Sequence, residues 1–258
     1  MNIAMIQMKV EAGNVSGNIE HAFSLLEEAV SGGGKVMVLP EMWTTGYALR
    51  QLDSMATRPG DGLLERFSKF ARDNQVVIHG GSIPYKVDGH VYNTTFVFGV
   101  DGKKIASYRK LHLFSLLSEP DHFTAGSSIE TFLLGSEIAG LSICYDLRFP
   151  ELYRSMTMAG ASIIFVPAEW PESRGIPWRV LNQARAIENQ VYICAVNCVG
   201  SYKDNEFYGH SMFIAPDGTI MAEGGQEETI LQVTYERSVL NKTRTGMAIW
   251  KDRRSDIY

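Results

Sequence analysis

The chain has 258 residues, of which 45% are hydrophobic and 21% charged, and a formal net charge of −5. This is the composition of an ordinary soluble globular protein able to bury a large core. The acidic balance argues against generic nucleic-acid or membrane-surface binding, and no apolar run approaches the roughly 20 residues of a membrane span.

In chain order, Ile3–Met8 is predicted as a strand rather than a signal peptide, because no basic region precedes a long apolar stretch. Asn18–Val30 follows as an amphipathic helix, broken by Gly32-Gly33-Gly34, and Val36–Leu39 is a buried strand stopping at Pro40-Glu41. Leu63–Asn74 reads as a helix and Val76–Gly80 as a strand. Val91–Val100 and Lys104–Tyr108 flank Asp101-Gly102, a hairpin signal. Leu141–Ile143 is a short strand that runs toward a helix opening at Phe149-Pro150-Glu151, and that helix spans Pro150–Met158. Ala161–Val166, Trp178–Glu188 and Val191–Asn197 repeat the strand–helix–strand pattern. Met212–Ala215 and Thr219–Ala222 flank Pro216-Asp217-Gly218 as a second hairpin, and Thr229–Tyr235 closes the sheet.

No linker interrupts the pattern, so residues 1–258 are expected to form one domain. The two hairpins exclude a purely parallel doubly wound sheet. The expected class is α/β, with mixed sheets packed face to face and helices outside. Val36–Trp43 and Ile163–Trp170 look alike, a faint echo of two related βαβ halves. Cys194 and Cys198 are expected on one sheet face as core residues, since no second metal-ligand pair accompanies them. Three cysteines cannot all pair within one chain, and with no targeting signal the cytoplasm is the expected compartment.

Cys144 lies where the Leu141–Ile143 strand runs toward the helix opening. Unpaired N–H groups there should lower its pKa and favour the thiolate; an inert buried thiol is the competing reading. A hydrolytic thiol also needs a base, an oxyanion partner and water. None of the six histidines carries a papain-like or caspase-like signature, though a pairing in space stays open. Glu41 follows a buried strand directly, where open α/β sheets put their ligand sites; alternatively the chain has simply reached solvent there. Lys110 also follows a strand and taken alone reads as a surface lysine.

Together these segments resemble the three motifs of the nitrilase superfamily of carbon–nitrogen hydrolases. They are Pro40-Glu41-Met42, Arg109–Phe114 and Ile143–Glu151, in that order, and Arg185–Gln190 and Gly209-His210-Ser211 are also similar to that family. The resemblance covers essentially the whole chain. It implies an α-β-β-α sandwich, no metal and no cofactor, and a homodimer or larger homo-oligomer. It also implies Cys144 as nucleophile, Glu41 as general base, and Lys110 with the Tyr145 backbone N–H as oxyanion donors. Glu119 resembles an additional family glutamate that positions substrate or the lysine, with a surface loop carboxylate as the competing reading. Asp146 and Arg148 are expected to pair and shape the turn.

Within the family, Glu41–Tyr47, the spacing from Lys110 to Glu119, and Ala168–Arg174 resemble the ω-amidase branch, which hydrolyses short dicarboxylic monoamides such as 2-oxoglutaramate. The implied partner is such a small amide, with no nucleic acid or membrane. Its remote carboxylate calls for a cation. Arg174 is the first candidate and Arg148 the second, with a structural salt bridge as the competing role for each. Tyr47, Phe114, Trp170 and Trp178 are candidate pocket walls or, failing that, core. The alternatives are a deaminated-glutathione amidase, an N-carbamoyl amidohydrolase, or a non-catalytic binding protein on this scaffold.

Overall fold

Along the strand Asn2–Gln7 side chains alternate between faces, and both faces are apolar: Ile3 and Met5 join one hydrophobic cluster, Ala4 and Ile6 another. A strand buried on both sides needs a layer against each. On one side the helices Val15–Ser31 and Leu63–Asn74 supply Phe23, Leu26, Phe67 and Ala71, with Phe23 and Phe67 stacked at 5.3 Å. On the other, Asn2–Gln7 lies against Tyr192–Asn197 of a second sheet. The computed structural model describes residues 1–203 and 205–257.

The first sheet has seven strands. Asn2–Gln7, Val36–Val38 and Val77–His79 are parallel at its centre, and Thr229–Thr234 runs antiparallel at one edge. On the other side His90–Phe98 pairs antiparallel with Val77–His79, Ile83–Val87 and Lys104–Arg109. The second sheet has six strands, in the order Ile220–Glu223, Met212–Ile214, Tyr192–Asn197, Ile163–Ala168, Glu137–Leu141, Thr131–Leu134. Its three central strands are parallel and the rest antiparallel. Pro150–Met158 and Gly175–Asn189 pack against each other and against this sheet. Two mixed sheets face to face with helices outside make the expected α-β-β-α sandwich.

Several local expectations shift. The strand placed at Leu141–Ile143 is Glu137–Leu141, and Ile143 has left the ladder, its N–H donating to Asp146 Oδ2 at 2.9 Å. The first helix begins at Val15 because the Asn14 side chain accepts from Gly17 N and caps it. Strands Ile83–Val87 and Thr131–Leu134 and the helix Arg237–Gly246 are additional elements. Cys194 and Cys198 do not share a face: the strand ends at Asn197, and Cys198 packs in the other cluster.

Candidate active site

The chain leaves strand Val36–Val38 and turns sharply at Glu41. Met42 is left-handed at φ 50°, and Gly81, at φ 60°, presses so closely that a Cβ there would sit 2.0 Å from the Pro40 carbonyl oxygen. This turn sends Glu41 inward, fully buried. Its Oε1 accepts from Lys110 Nζ and from Asn93 Nδ2, each at 2.8 Å, and its Oε2 accepts from the Glu169 backbone N–H at 2.9 Å. Donors on both oxygens are what a buried carboxylate requires.

Lys110 follows the strand Lys104–Arg109; its N–H donates to Asn93 O at 2.9 Å and its carbonyl accepts from Gly126 N at 2.8 Å. That register sets Asn93 beside it. The buried ammonium reaches both Glu41 and Glu119, at 2.8 and 2.7 Å. Glu119 also accepts from Tyr47 OH and from the Phe114 N–H, both at 2.7 Å. Burial pulls the Lys110 pKa down, but the facing carboxylates Glu119 and Glu41 outweigh it and hold the ammonium charged well above the ordinary lysine range.

Cys144 opens a tight turn over Cys144–Arg148 with φ 47°, a left-handed conformation that costs a non-glycine residue about 1–3 kcal/mol. Asp146 fastens that turn to the lysine segment. It accepts from Tyr108 OH at 2.6 Å, His112 N at 3.0 Å and Ile143 N at 2.9 Å, and His112 Nδ1 lies 2.7 Å from it. The expected Asp146–Arg148 pair therefore does not form; the Arg148 guanidinium lies over the Trp170 ring at 5.2 Å.

The expected depression of the thiol pKa is reversed. The helix proper starts only at Pro150, so its dipole acts on Cys144 from a distance. Burial pushes the thiol up, Glu41 adds to this, and Lys110 only partly offsets it. At neutral pH the cluster therefore holds a neutral thiol beside the ammonium of Lys110.

Beside the sulfur is a narrow space walled by Tyr145, Phe114 and Trp170, with Arg148 and Arg174 at its rim. Tyr47, Leu117, Glu169, Pro171 and Arg174 are common to this space and to a wider outer cavity of about 260 Å³. Trp178 is core: it is fully buried behind Trp170, and its indole N–H donates to the His210 carbonyl. Among the described residues no acidic side chain pairs with Arg174, whose guanidinium lies 5.4 Å from the centre of the Phe114 ring. The salt bridge weighed as its alternative role is absent among those residues. Asn93 and Glu169 are additional site residues; the Val36–Trp43 and Ile163–Trp170 echo and the Ala168–Arg174 resemblance both contained Glu169 without giving it a role, and nothing local marked Asn93.

The sequence profile of the family described as carbon-nitrogen hydrolase matches residues 2–245. The chain belongs to the carbon–nitrogen hydrolase family. It is thus a hydrolase of carbon–nitrogen bonds other than peptide bonds. The chain is 41% identical over 257 residues to a 2-oxoglutaramate amidase of Bacillus subtilis, covering 99% of this hydrolase and 98% of the relative. It is 32% identical to human omega-amidase NIT2, covering 99% and 96% of the two chains. Nit3 of Saccharomyces cerevisiae, a nitrilase superfamily member, superposes with a TM-score of 0.91 at 27% identity, covering 98% of this hydrolase and 96% of Nit3. A CN-hydrolase superfamily protein from Xanthomonas campestris gives 0.92 at 26% identity, covering 99% and 97%. Among the described residues of this hydrolase no helix is long and apolar enough to cross a membrane.

Proposed function

We propose that this hydrolase is an ω-amidase-like cysteine amidase that cleaves the terminal carboxamide of a short dicarboxylic monoamide, 2-oxoglutaramate or a close analogue. The observation that carries the reading is Arg174, a cation with no acidic partner among the described residues, lining both the space beside Cys144 and the outer cavity. A guanidinium so placed suits a substrate carboxylate held at a distance from the reacting amide.

Glu41 takes the proton of Cys144 as the sulfur attacks the amide carbon, and the C=O electron pair moves onto oxygen. Lys110 and the Tyr145 N–H stabilise that oxyanion. On collapse the C–N bond breaks, Glu41 returns the proton to the departing ammonia, and a thioester remains. Water, deprotonated by Glu41, attacks the thioester; the carboxylic acid leaves and the thiol recovers its proton. Glu119 holds Lys110 in register through its 2.7 Å contact. Three thiols, none of them in a disulfide, accord with a cytoplasmic setting, and a homodimer is the assembly expected from the family resemblance.

An ammonia-release assay across 2-oxoglutaramate, succinamate, deaminated glutathione, an N-carbamoyl amino acid and a simple nitrile tests the reading. The first two should be the best substrates. Preference for the carbamoyl compound or the deaminated tripeptide would replace ω-amidase with one of those sibling activities.

A further inference from the structure

Glu169 has no role in the steps above, yet it is placed as if for contact with a ligand. It is 1% exposed, and neither carboxyl oxygen has a hydrogen-bond partner of good geometry among the described residues. Its backbone is fixed by the N–H bond to Glu41 and by Trp170 N donating to Asn197 Oδ1 at 2.7 Å. The side chain lines both the space beside Cys144 and the outer cavity shared with Arg174. Leaving two carboxyl oxygens unsatisfied in a buried site is costly, and a ligand atom that met them would recover that cost.

We propose that Glu169 is a specificity-determining residue, whose carboxyl hydrogen-bonds an oxygen on the substrate chain and so selects 2-oxo acid amides over those with a plain methylene. The proposal rests on the ω-amidase reading. With the amide at Cys144 and the distal carboxylate at Arg174, the intervening carbons pass the wall that Glu169 forms. Burial, reinforced by Glu41 and opposed in part by Lys110 and the Tyr47 backbone N–H, raises this carboxyl well above the ordinary range. Its protonated form, an O–H donor, is thereby favoured, as for carboxyls in apolar pockets. A ketone oxygen accepts from that donor; a methylene leaves it unpartnered, and sites built for a polar contact discriminate strongly against analogues that lack it.

The matched pair 2-oxoglutaramate and glutaramate differs only in that oxygen, so the ratio of their kcat/KM values isolates the contact. In the parent enzyme the ratio should favour 2-oxoglutaramate. Glu169→Leu should reduce it by about 10-fold or more, whereas Glu169→Gln, which keeps an N–H donor, should hold it within about 3-fold. An unchanged ratio in Glu169→Leu, or equal loss on both amides, overturns the proposal while leaving the ω-amidase reading intact. A parent enzyme inactive on both amides overturns that reading and this proposal together.

Discussion

The backbone N–H of Glu169 donates to the Glu41 carboxylate over 2.9 Å, joining residues 128 positions apart. Each follows the end of a central parallel strand, Val36–Val38 in one sheet and Ile163–Ala168 in the other, and Glu41 N returns a bond to Ala168 O at 3.3 Å. The two segments that echo each other in sequence therefore meet at the site. One carboxyl supplies the proposed base and the other faces the proposed substrate.

Cys144→Ala should abolish ammonia release, by about 10⁴-fold or more, with the circular dichroism spectrum unchanged. Because burial and Glu41 raise the thiol pKa, alkylation of Cys144 by iodoacetamide should keep accelerating as pH rises past 9. A plateau reached near pH 7 would mean a resting thiolate and defeat this account.

Lys110→Met removes the cation that contacts both buried carboxylates, Glu41 and Glu119. Breaking a buried ion cluster this way costs about 3–5 kcal/mol, so urea unfolding should show a clear loss of stability. Turnover should fall by at least about 10²-fold, as for the loss of one oxyanion donor. Parent-like stability would show that Glu41 and Glu119 do not depend on the ammonium.

Asn93→Leu deletes one of the donors to Glu41. The carboxylate then keeps Lys110 and the Glu169 N–H but loses its lateral hold. We expect kcat to fall by about 10-fold with KM changed little, the pattern of a residue that positions the base rather than binds substrate. A rise in KM at constant kcat would assign Asn93 to substrate binding.

His79 packs tilted against Phe165, ring centroids 5.0 Å apart, between the sheets, and neither ring nitrogen has a partner among the described residues. Burial pulls its pKa from the ordinary 6.5 to about 3. Between those values the unfolded chain binds a proton that the folded chain refuses. Stability is therefore full above about pH 6.5 and is lost as pH falls toward 3, by up to about 1.4 kcal/mol per pH unit. His79→Phe should flatten this part of the stability curve measured by denaturant titration. Parallel acid limbs in the two proteins would contradict it.

Gly81→Ala drives a methyl group into the Pro40 carbonyl, 2.0 Å away, at a position with φ 60°. Because Pro40 leads directly into Glu41, the shift should lower the melting temperature and the turnover together. A cost of at least about 2 kcal/mol is expected for such a left-handed, crowded site. A variant with normal activity would show that the Glu41 turn tolerates displacement.

The parts of this molecule legible in sequence are those written locally. Strands ending at Pro40-Glu41 and before Lys110 stand out as apolar runs, and Asp101-Gly102 marks its hairpin through Gly102 at φ 77°. Asp88-Gly89 carries the same signal, with φ values of 52° and 78°, but polar residues around it mask the strand Ile83–Val87. Asn93 was hidden for a different reason. Its role depends on the pairing that sets it opposite Lys110, which no local pattern encodes. The thiol pKa could not be read from a helix start at Pro150, because what governs it is burial and a carboxylate from the other sheet.

Glu41 and Lys110 follow strands of the first sheet, Cys144 and Glu169 strands of the second. Neither sheet alone brings base and sulfur together. A chain that has formed its strands but not yet docked them carries a thiol without its base. Amide turnover is thus a direct reporter of completed assembly, and a half-folded copy of this protein is chemically silent.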